Sequence, residues 1–120
     1  MTFRRTSAHV NTENKGNVSI LYLAGEFSYK NIHRVEGEWN KQLEHNPEII
    51  GINCAEILYL DSSALGKLIW LNDNAAHRNI KLVFYDMNSS MRKLFATYKL
   101  QDVFSIITKE EFEEMYLHQS

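Results

Sequence analysis

The chain reads Leu60-Asp61-Ser62-Ser63-Ala64-Leu65-Gly66 at the point where an apolar segment, residues 57–60, gives way to a helical pattern. Asp and Ser are typical of helix N-termini, because their side-chain oxygens accept the unpaired N–H groups of the first turn. The apolar residues that follow recur at helical spacing: Leu65, Leu68, Ile69, Ala75 and Ala76. The stretch therefore predicts a strand-to-helix junction, with a helix that runs to about His77.

The two adjacent serines of this junction supply one hydroxyl more than a helix cap requires. Most Asp-Ser-Ser stretches before an apolar run are caps alone, and that interpretation explains the residues without any further function. The second interpretation is a modification site, because a side chain in the first turn of a helix is solvated and reachable. Phosphorylation there would place about two negative charges at one point of the surface. The local pattern leaves both interpretations open.

The composition fits one domain that spans residues 1–120. The hydrophobic fraction of 44% is enough to bury a core, and the single cysteine excludes an internal disulfide and a four-cysteine metal site. Such a chain is expected in the reducing cytoplasm. The formal net charge of −2, with acidic and basic residues mixed, does not indicate direct nucleic-acid binding. No apolar run approaches the roughly 20 residues of a membrane span, and none resembles a signal peptide.

Strand and helix patterns alternate in the order β-β-α-β-α-β-α-β-α. The predicted strands cover residues 4–10, 18–24, 49–52, 80–85 and 103–107. A turn at residues 14–17 joins the first two strands as an antiparallel hairpin. Strands that alternate with helices imply right-handed crossovers and a mostly parallel sheet, which the hairpin makes mixed.

Each of the other predicted helices begins at a polar residue and carries an apolar face. Ser28 is the predicted N-cap of the first helix, Asn88 opens the third, and Thr108 forms a capping box with Glu111 in the last. The residues expected to face inward are Tyr29, Ile32, Val35, Trp39 and Leu43 in the first helix, Met91, Leu94, Phe95 and Tyr98 in the third, and Phe112, Met115 and Tyr116 in the last. For Trp70, a core position is favoured over an interface.

The segment from Asp61 to Gly66, placed after an apolar segment, resembles the signature of the STAS family, whose single-domain members are bacterial anti-sigma factor antagonists. The resemblance spans about residues 16–116. It implies a small α/β domain, with a mixed sheet of four to five strands and about four helices. Gly25-Glu26-Phe27-Ser28 is similar to the family's Gly-acidic-apolar-Asp segment, with Ser28 in place of the Asp, and Asn53 stands where the third strand usually carries an Asp.

By this resemblance the protein is a partner-switching regulator that is phosphorylated at Ser63, with Ser62 and Asp61 as the cap and its neighbour. The unphosphorylated form would bind an anti-sigma factor that is also a serine kinase, and would thereby release a sigma factor. Phosphorylation would end the binding, and a serine phosphatase would restore it. The residues expected to contact the partner are Gly25, Glu26, Ser28, Asp61, Ser62, Ser63, Leu65, Gly66 and Lys67.

Lys67 lies one helical turn after Ser63 and offers a cation to the phosphate. We expect no cofactor and no metal, and a monomer or a weak homodimer. The protein is expected to be a substrate and a binding module, not an enzyme.

Docking without phosphorylation, catalysis and nucleotide binding are the alternative classes of function. A stand-alone STAS subunit of a transporter or signalling complex would dock through the same helix start without a phosphorylation cycle. Catalysis would need an oriented base or a metal site, but the five histidines lack ligand spacing, and Asp61 beside the serines is a cap arrangement. Cys54 is interpreted as a buried apolar residue rather than a nucleophile. Nucleotide binding near Ser63 has no phosphate-cradling motif to support it.

Overall fold

The computed structural model describes residues 7–117, in which five strands alternate with helices in the predicted order. The strands are β1 (His9–Lys15), β2 (Val18–Phe27), β3 (Ile49–Leu60), β4 (Lys81–Tyr85) and β5 (Ser105–Ile107). The helices are α1 (His33–Leu43), α2 (Ser62–His77), α3 (Ser89–Thr97) and α4 (Lys109–Phe112), with a 3₁₀ turn at Leu100–Asp102 and a π-helical turn at Glu113–Leu117.

The five strands form one mixed sheet in the order β1-β2-β3-β4-β5. β1 pairs with β2 antiparallel, and every later pair is parallel. Because each parallel strand is added on the same side of the one before it, right-handed crossovers place α1, α2 and α3 on one face. The predicted mixed α/β sheet with about four helices is confirmed.

Each face of the sheet has its own core. Trp39 of α1, Leu68 of α2 and Phe95 of α3 are buried together against the first face, so the core position predicted for Trp39 is confirmed. Phe112 of α4 covers the second face, where its ring stacks on Tyr85 at a centroid distance of 3.9 Å. A Cβ on Gly51 of β3 would lie 2.6 Å from the Phe112 ring, so the glycine makes room for α4.

β3 is much longer than the predicted strand at residues 49–52. Its pairing with β4 ends at Asn53, whereas its pairing with β2 continues to Leu60. The apolar segment before Asp61, which lies beyond the predicted strand at residues 49–52, is therefore the outer half of β3. The length of β3 matters for function because α2 begins directly after this strand.

The first helix begins later than predicted. Ser28 does not cap it, since α1 starts at His33 with Ile32 at the N-cap position and without a side-chain cap. The Ser28 hydroxyl instead accepts from the Lys30 N–H at 3.2 Å within a turn. Tyr29, which was expected to face inward, is 69% exposed.

Several other local predictions are also corrected. β1 begins at His9 and runs into a tight turn at Gly16, so the strand predicted at residues 4–10 is displaced along the chain, and positions 4–6 lie outside the described residues. The last strand is shorter than predicted, and Val103 is exposed. Tyr98 and Met115 are exposed because the regular helix has ended before each of them. The predicted caps at Asn88 and Thr108, the latter with its capping box, are confirmed.

Candidate functional site

Asp61 organises the start of α2 through both of its carboxylate oxygens. Oδ1 accepts the Ala64 N–H at 2.8 Å, which makes Asp61 the N-cap and Ser62 the first helical residue. The Asp61 carbonyl accepts the Leu65 N–H at 2.9 Å. Oδ2 accepts the Tyr29 N–H at 3.0 Å from the turn between β2 and α1. One side chain therefore caps the helix and fixes the neighbouring turn to it.

The turn at residues 25–31 is held close to this helix start by further contacts. The Asp61 N–H donates to the Phe27 carbonyl at 3.0 Å, and the Asn31 side chain accepts the Ser28 N–H and donates to the Glu26 carbonyl, both at 2.9 Å. Gly25 has a φ of +101°, and a Cβ there would lie 2.3 Å from the Ser7 carbonyl oxygen. The Gly25–Ser28 segment therefore lies beside the α2 start.

Ser62 and Ser63 are both exposed, but they head different flanks of α2. Residues three and four apart share a helix face, so Ser62 aligns with Leu65, Gly66 and Ile69, whereas Ser63 aligns with Lys67 and Trp70. The Ser62 flank faces α3, and the Ser63 flank faces α1. A modification at either hydroxyl would therefore meet different neighbours.

A small apolar pocket lies on the Ser62 flank, between α2 and α3. Its volume is about 190 Å³, and it is lined by Leu60, Asp61, Ser62, Leu65, Gly66, Ile69, Leu94 and Tyr98. Leu65 is nearly buried and contributes to the pocket wall, while Gly66 is exposed and has open space above its Cα. The pocket is large enough for one apolar side chain of a partner.

Lys67 does not point freely toward Ser63. Its ammonium forms an ion pair with Glu36 Oε1 of α1, and both side chains are about two-thirds buried or more. The ammonium also lies 4.9 Å from the centroid of the Trp70 ring. Trp70 itself is 42% exposed, so the core position favoured from the sequence is wrong. The Ser63 flank thus consists of a hydroxyl, a paired ammonium and an exposed indole.

Exposed apolar side chains that were not predicted surround the α2 start. Leu58 and Tyr59, at the outer end of β3, are 60% and 53% exposed. Tyr29, which bonds to Asp61, and Tyr98, which lines the pocket, are also exposed. Exposed large apolar residues that cluster on a surface mark interaction sites. The sequence carries no clear signal for this exposure, because consecutive apolar residues of a central strand can be buried on its two faces, as residues 50–54 of β3 are.

The titratable groups of the interior are held neutral. Burial raises the pKa of the Cys54 thiol far above its usual range, so the thiol stays protonated and unreactive. Burial also raises the pKa of Tyr85, whose hydroxyl lies near Asn53 and Tyr22. Asn53 accepts the Ala55 N–H at 3.0 Å and donates to Asp86 at 3.4 Å, which gives it a structural role in β3.

Neither a metal-binding cluster nor a membrane-spanning helix is present within residues 7–117. No group of three or more His, Cys, Asp or Glu side chains in that range is placed to hold a metal ion. No helix within the same range is long and apolar enough to cross a membrane.

Comparison with known proteins assigns the family. The STAS domain model matches residues 9–114, so the chain belongs to the STAS domain family. No curated protein sequence matches the chain. An anti-sigma factor antagonist from Mycobacterium paratuberculosis has a similar structure, with a TM-score of 0.74 and 16% identity over 86% of this chain and 87% of that one.

The antagonist SpoIIAA is also similar, in both of its states. The unphosphorylated form has a TM-score of 0.73 and 15% identity over 93% of this chain and 100% of that one. The phosphorylated form, described as a Bacillus cell fate determinant, has a TM-score of 0.67 and 17% identity over 88% of this chain and 97% of that one. At these identities the likeness demonstrates a shared fold.

Proposed function

We propose that the protein is an anti-sigma factor antagonist that is switched by phosphorylation of Ser63. The observation that carries the proposal is the exposure of the Ser63 hydroxyl at the start of a well-capped helix. A kinase can reach this hydroxyl without unfolding the protein. Similarity to an antagonist whose structure has been solved in unphosphorylated and phosphorylated forms supports the assignment.

The chemistry of the switch is a phosphoryl transfer from ATP. The Ser63 Oγ–P bond forms as the bond between the γ-phosphorus and the β–γ bridging oxygen breaks. The hydroxyl proton passes to a base of the kinase, and ADP leaves. The product carries about two negative charges beside the positive end of α2, where the helix dipole tolerates them, so the fold should survive the modification.

The modification acts on binding because the α2 start lies within an apolar surface. Leu58, Tyr59 and Tyr29 are exposed around it, and a pocket for one apolar side chain opens next to Ser62. A partner that reaches from the pocket to Tyr29 crosses the first turn of α2, which carries Ser63. A dianion there must be desolvated or must face like charge, at a cost on the order of several kcal/mol, which reduces affinity by a hundredfold or more.

The partner in this proposal is an anti-sigma factor with serine kinase activity, and a serine phosphatase resets the cycle. The STAS domain itself is the substrate and catalyses no step. It acts in the cytoplasm, as one domain over residues 1–120, without a cofactor.

The test is incubation with a kinase-type anti-sigma factor and ATP, followed by intact-mass measurement. We expect one phosphate on the wild type and none on Ser63→Ala, whose thermal unfolding should be unchanged because the hydroxyl is exposed. Ser62→Ala is the matched control: it removes the adjacent hydroxyl and should still gain one phosphate. Stoichiometric modification of Ser63→Ala would move the site elsewhere.

The binding step needs its own measurement. Calorimetric titration of the same anti-sigma factor should give a weaker affinity for Ser63→Glu than for Ser63→Ala by at least tenfold. Equal affinities would exclude a charge-operated switch. Such a result would favour the alternative, a subunit of a transporter or signalling complex that docks through the same apolar surface without a phosphorylation cycle.

A further inference from the structure

The position of Lys67 makes Ser62 and Ser63 chemically different. Lys67 is four residues after Ser63 and shares its helix face, whereas the residue four after Ser62 is Gly66, which offers no charge. In the unmodified protein the Lys67 ammonium is held by Glu36 of α1 and lies over Trp70 of α2. Lys67 therefore has an existing anionic partner before any phosphate arrives.

We propose that Lys67 is an exchangeable positioning residue: it pairs with Glu36 when Ser63 is unmodified and with the phosphate when Ser63 is phosphorylated. The proposal rests on phosphorylation of Ser63 and names what the phosphate does to the surface beyond adding its own charge.

The competition favours the phosphate for two physical reasons. A phosphoserine carries about two negative charges near pH 7 and Glu36 carries one, so at equal distance the Coulomb attraction to Lys67 is about twice as large. An acidic group four residues before a lysine on the same helix is also the favourable orientation of such a pair. Glu36, by contrast, is on a neighbouring helix and must hold Lys67 across the α1–α2 contact.

Phosphorylation changes the charge of Ser63 alone, but the exchange changes the ion pairing of all three residues. Before phosphorylation, Ser63, Lys67 and Glu36 sum to zero, because the ammonium and the carboxylate cancel. After it, Lys67 compensates part of the phosphate, and the Glu36 carboxylate loses its partner. The added negative charge is then spread from Ser63 toward α1, and the Trp70 ring loses the ammonium above it. A partner that covers this flank meets a wider repulsive surface than one phosphate would give.

The test measures the coupling between Glu36 and Lys67 in a double-mutant cycle of Glu36→Gln and Lys67→Met, with urea unfolding as the readout. The cycle is measured for the unmodified chain, for the chain with phosphoserine installed genetically at position 63, and for the chain with phosphoserine at position 62. We expect a stabilising coupling in the unmodified chain and with the phosphate at position 62, and its loss with the phosphate at position 63.

Three outcomes would overturn the proposal: no coupling in the unmodified chain, a coupling that persists with the phosphate at position 63, or its equal loss with the phosphate at position 62. Genetic installation of phosphoserine makes this test independent of any kinase. A chain that no anti-sigma kinase modifies would disprove the proposed function, while the cycle would still report whether Lys67 changes partner.

A second measurement follows the phosphate itself by ³¹P NMR titration. A cation nearby favours the dianion, so Lys67→Met should raise the pKa of phosphoserine at position 63 by roughly half a pH unit, and Lys67→Arg should leave it low. At position 62 the same substitution should change the phosphate pKa less. Equal pKa values for the wild type and Lys67→Met at position 63 would contradict the proposal.

Discussion

Two helix starts in this molecule have almost the same sequence and different surroundings. α2 begins with Asp61-Ser62-Ser63 after β3, and α3 begins with Asn88-Ser89-Ser90 after β4. In both, the side-chain Oδ1 of the first residue caps the helix, at 2.8 Å from the Ala64 N–H and 2.9 Å from the Met91 N–H. The second polar atom of each capping side chain, Asp61 Oδ2 or Asn88 Nδ2, makes different hydrogen bonds.

The side-chain nitrogen of Asn88 points into the fold, whereas the second carboxylate oxygen of Asp61 bonds to a turn at the surface. Asn88 Nδ2 donates to the carbonyls of Cys54, Ala55 and Ile57 at 3.3, 3.2 and 2.8 Å, along the stretch of β3 that has passed the end of β4. Asp61 Oδ2 instead holds the exposed turn at Tyr29. The α3 start thus supports the strand on which the α2 start is displayed.

The largest expected effect comes from exchanging the two caps. Asn88→Asp keeps the capping oxygen but turns the donor into a charged acceptor that faces three carbonyl oxygens. We expect a loss of about 3 kcal/mol in the free energy of unfolding, measured by urea denaturation. The reciprocal change, Asp61→Asn, keeps one acceptor at a half-buried site and should cost about 1 kcal/mol. A larger cost for Asp61→Asn than for Asn88→Asp would contradict the view that the α3 start has the greater structural role.

An intermediate effect is expected on binding from Leu58, which the outer half of β3 exposes beside the α2 start. Leu58→Ser should change the free energy of unfolding by less than about 0.5 kcal/mol, because the side chain is largely in water. It should weaken the anti-sigma factor complex by about tenfold, as measured by calorimetry, since a covered apolar contact is lost.

The control for Leu58→Ser is Met115→Ser, which alters an equally exposed apolar residue beyond α4, on the opposite face of the sheet. We expect no change in affinity for that variant. Equal weakening by both substitutions would mean that the binding surface is not centred on α2.

The smallest effect is expected at the second pair of serines. Ser89→Ala and Ser90→Ala should each change the free energy of unfolding by less than about 0.5 kcal/mol, because Asn88 alone provides the cap. Ser90→Glu should leave the affinity for the anti-sigma factor unchanged, in contrast to Ser63→Glu. A matching loss at position 90 would show that the two helix starts act together as one interface.

Local features were the ones that the sequence could predict. Asp61, Asn88 and Thr108 bond to backbone groups three residues away, and a residue type at that spacing is enough to recognise a cap. The order of strands and helices follows from hydrophobic periodicity in the same way. Ser28 shows the limit, because its residue type suits a cap but the turn that contains it is bonded to a carboxylate 32 residues further along the chain.

Features that depend on distant contacts could not be predicted. The pairing of Lys67 with Glu36 joins residues 31 positions apart, and Asn88 reaches carbonyls 31 to 34 positions away. Trp70 was expected in the core, but its exposure depends on how α1 packs against α2, which the sequence of α2 alone does not determine. Tyr98 and Met115 have the sequence spacing of inward-facing helical residues. However, α3 ends at Thr97, and α4 gives way to a π-helical turn after Phe112, so neither side chain is directed toward the core.

The two tryptophans give the molecule a native optical reporter. Trp39 is fully buried, with its Nε1–H donated to Asn74 Oδ1 at 2.9 Å, whereas Trp70 stands half in solvent. Iodide should therefore quench the fluorescence of Trp70 and leave that of Trp39 nearly unchanged. A protein that binds the Trp70 side of α2 would protect Trp70 from iodide, so complex formation can be followed in the unlabelled chain.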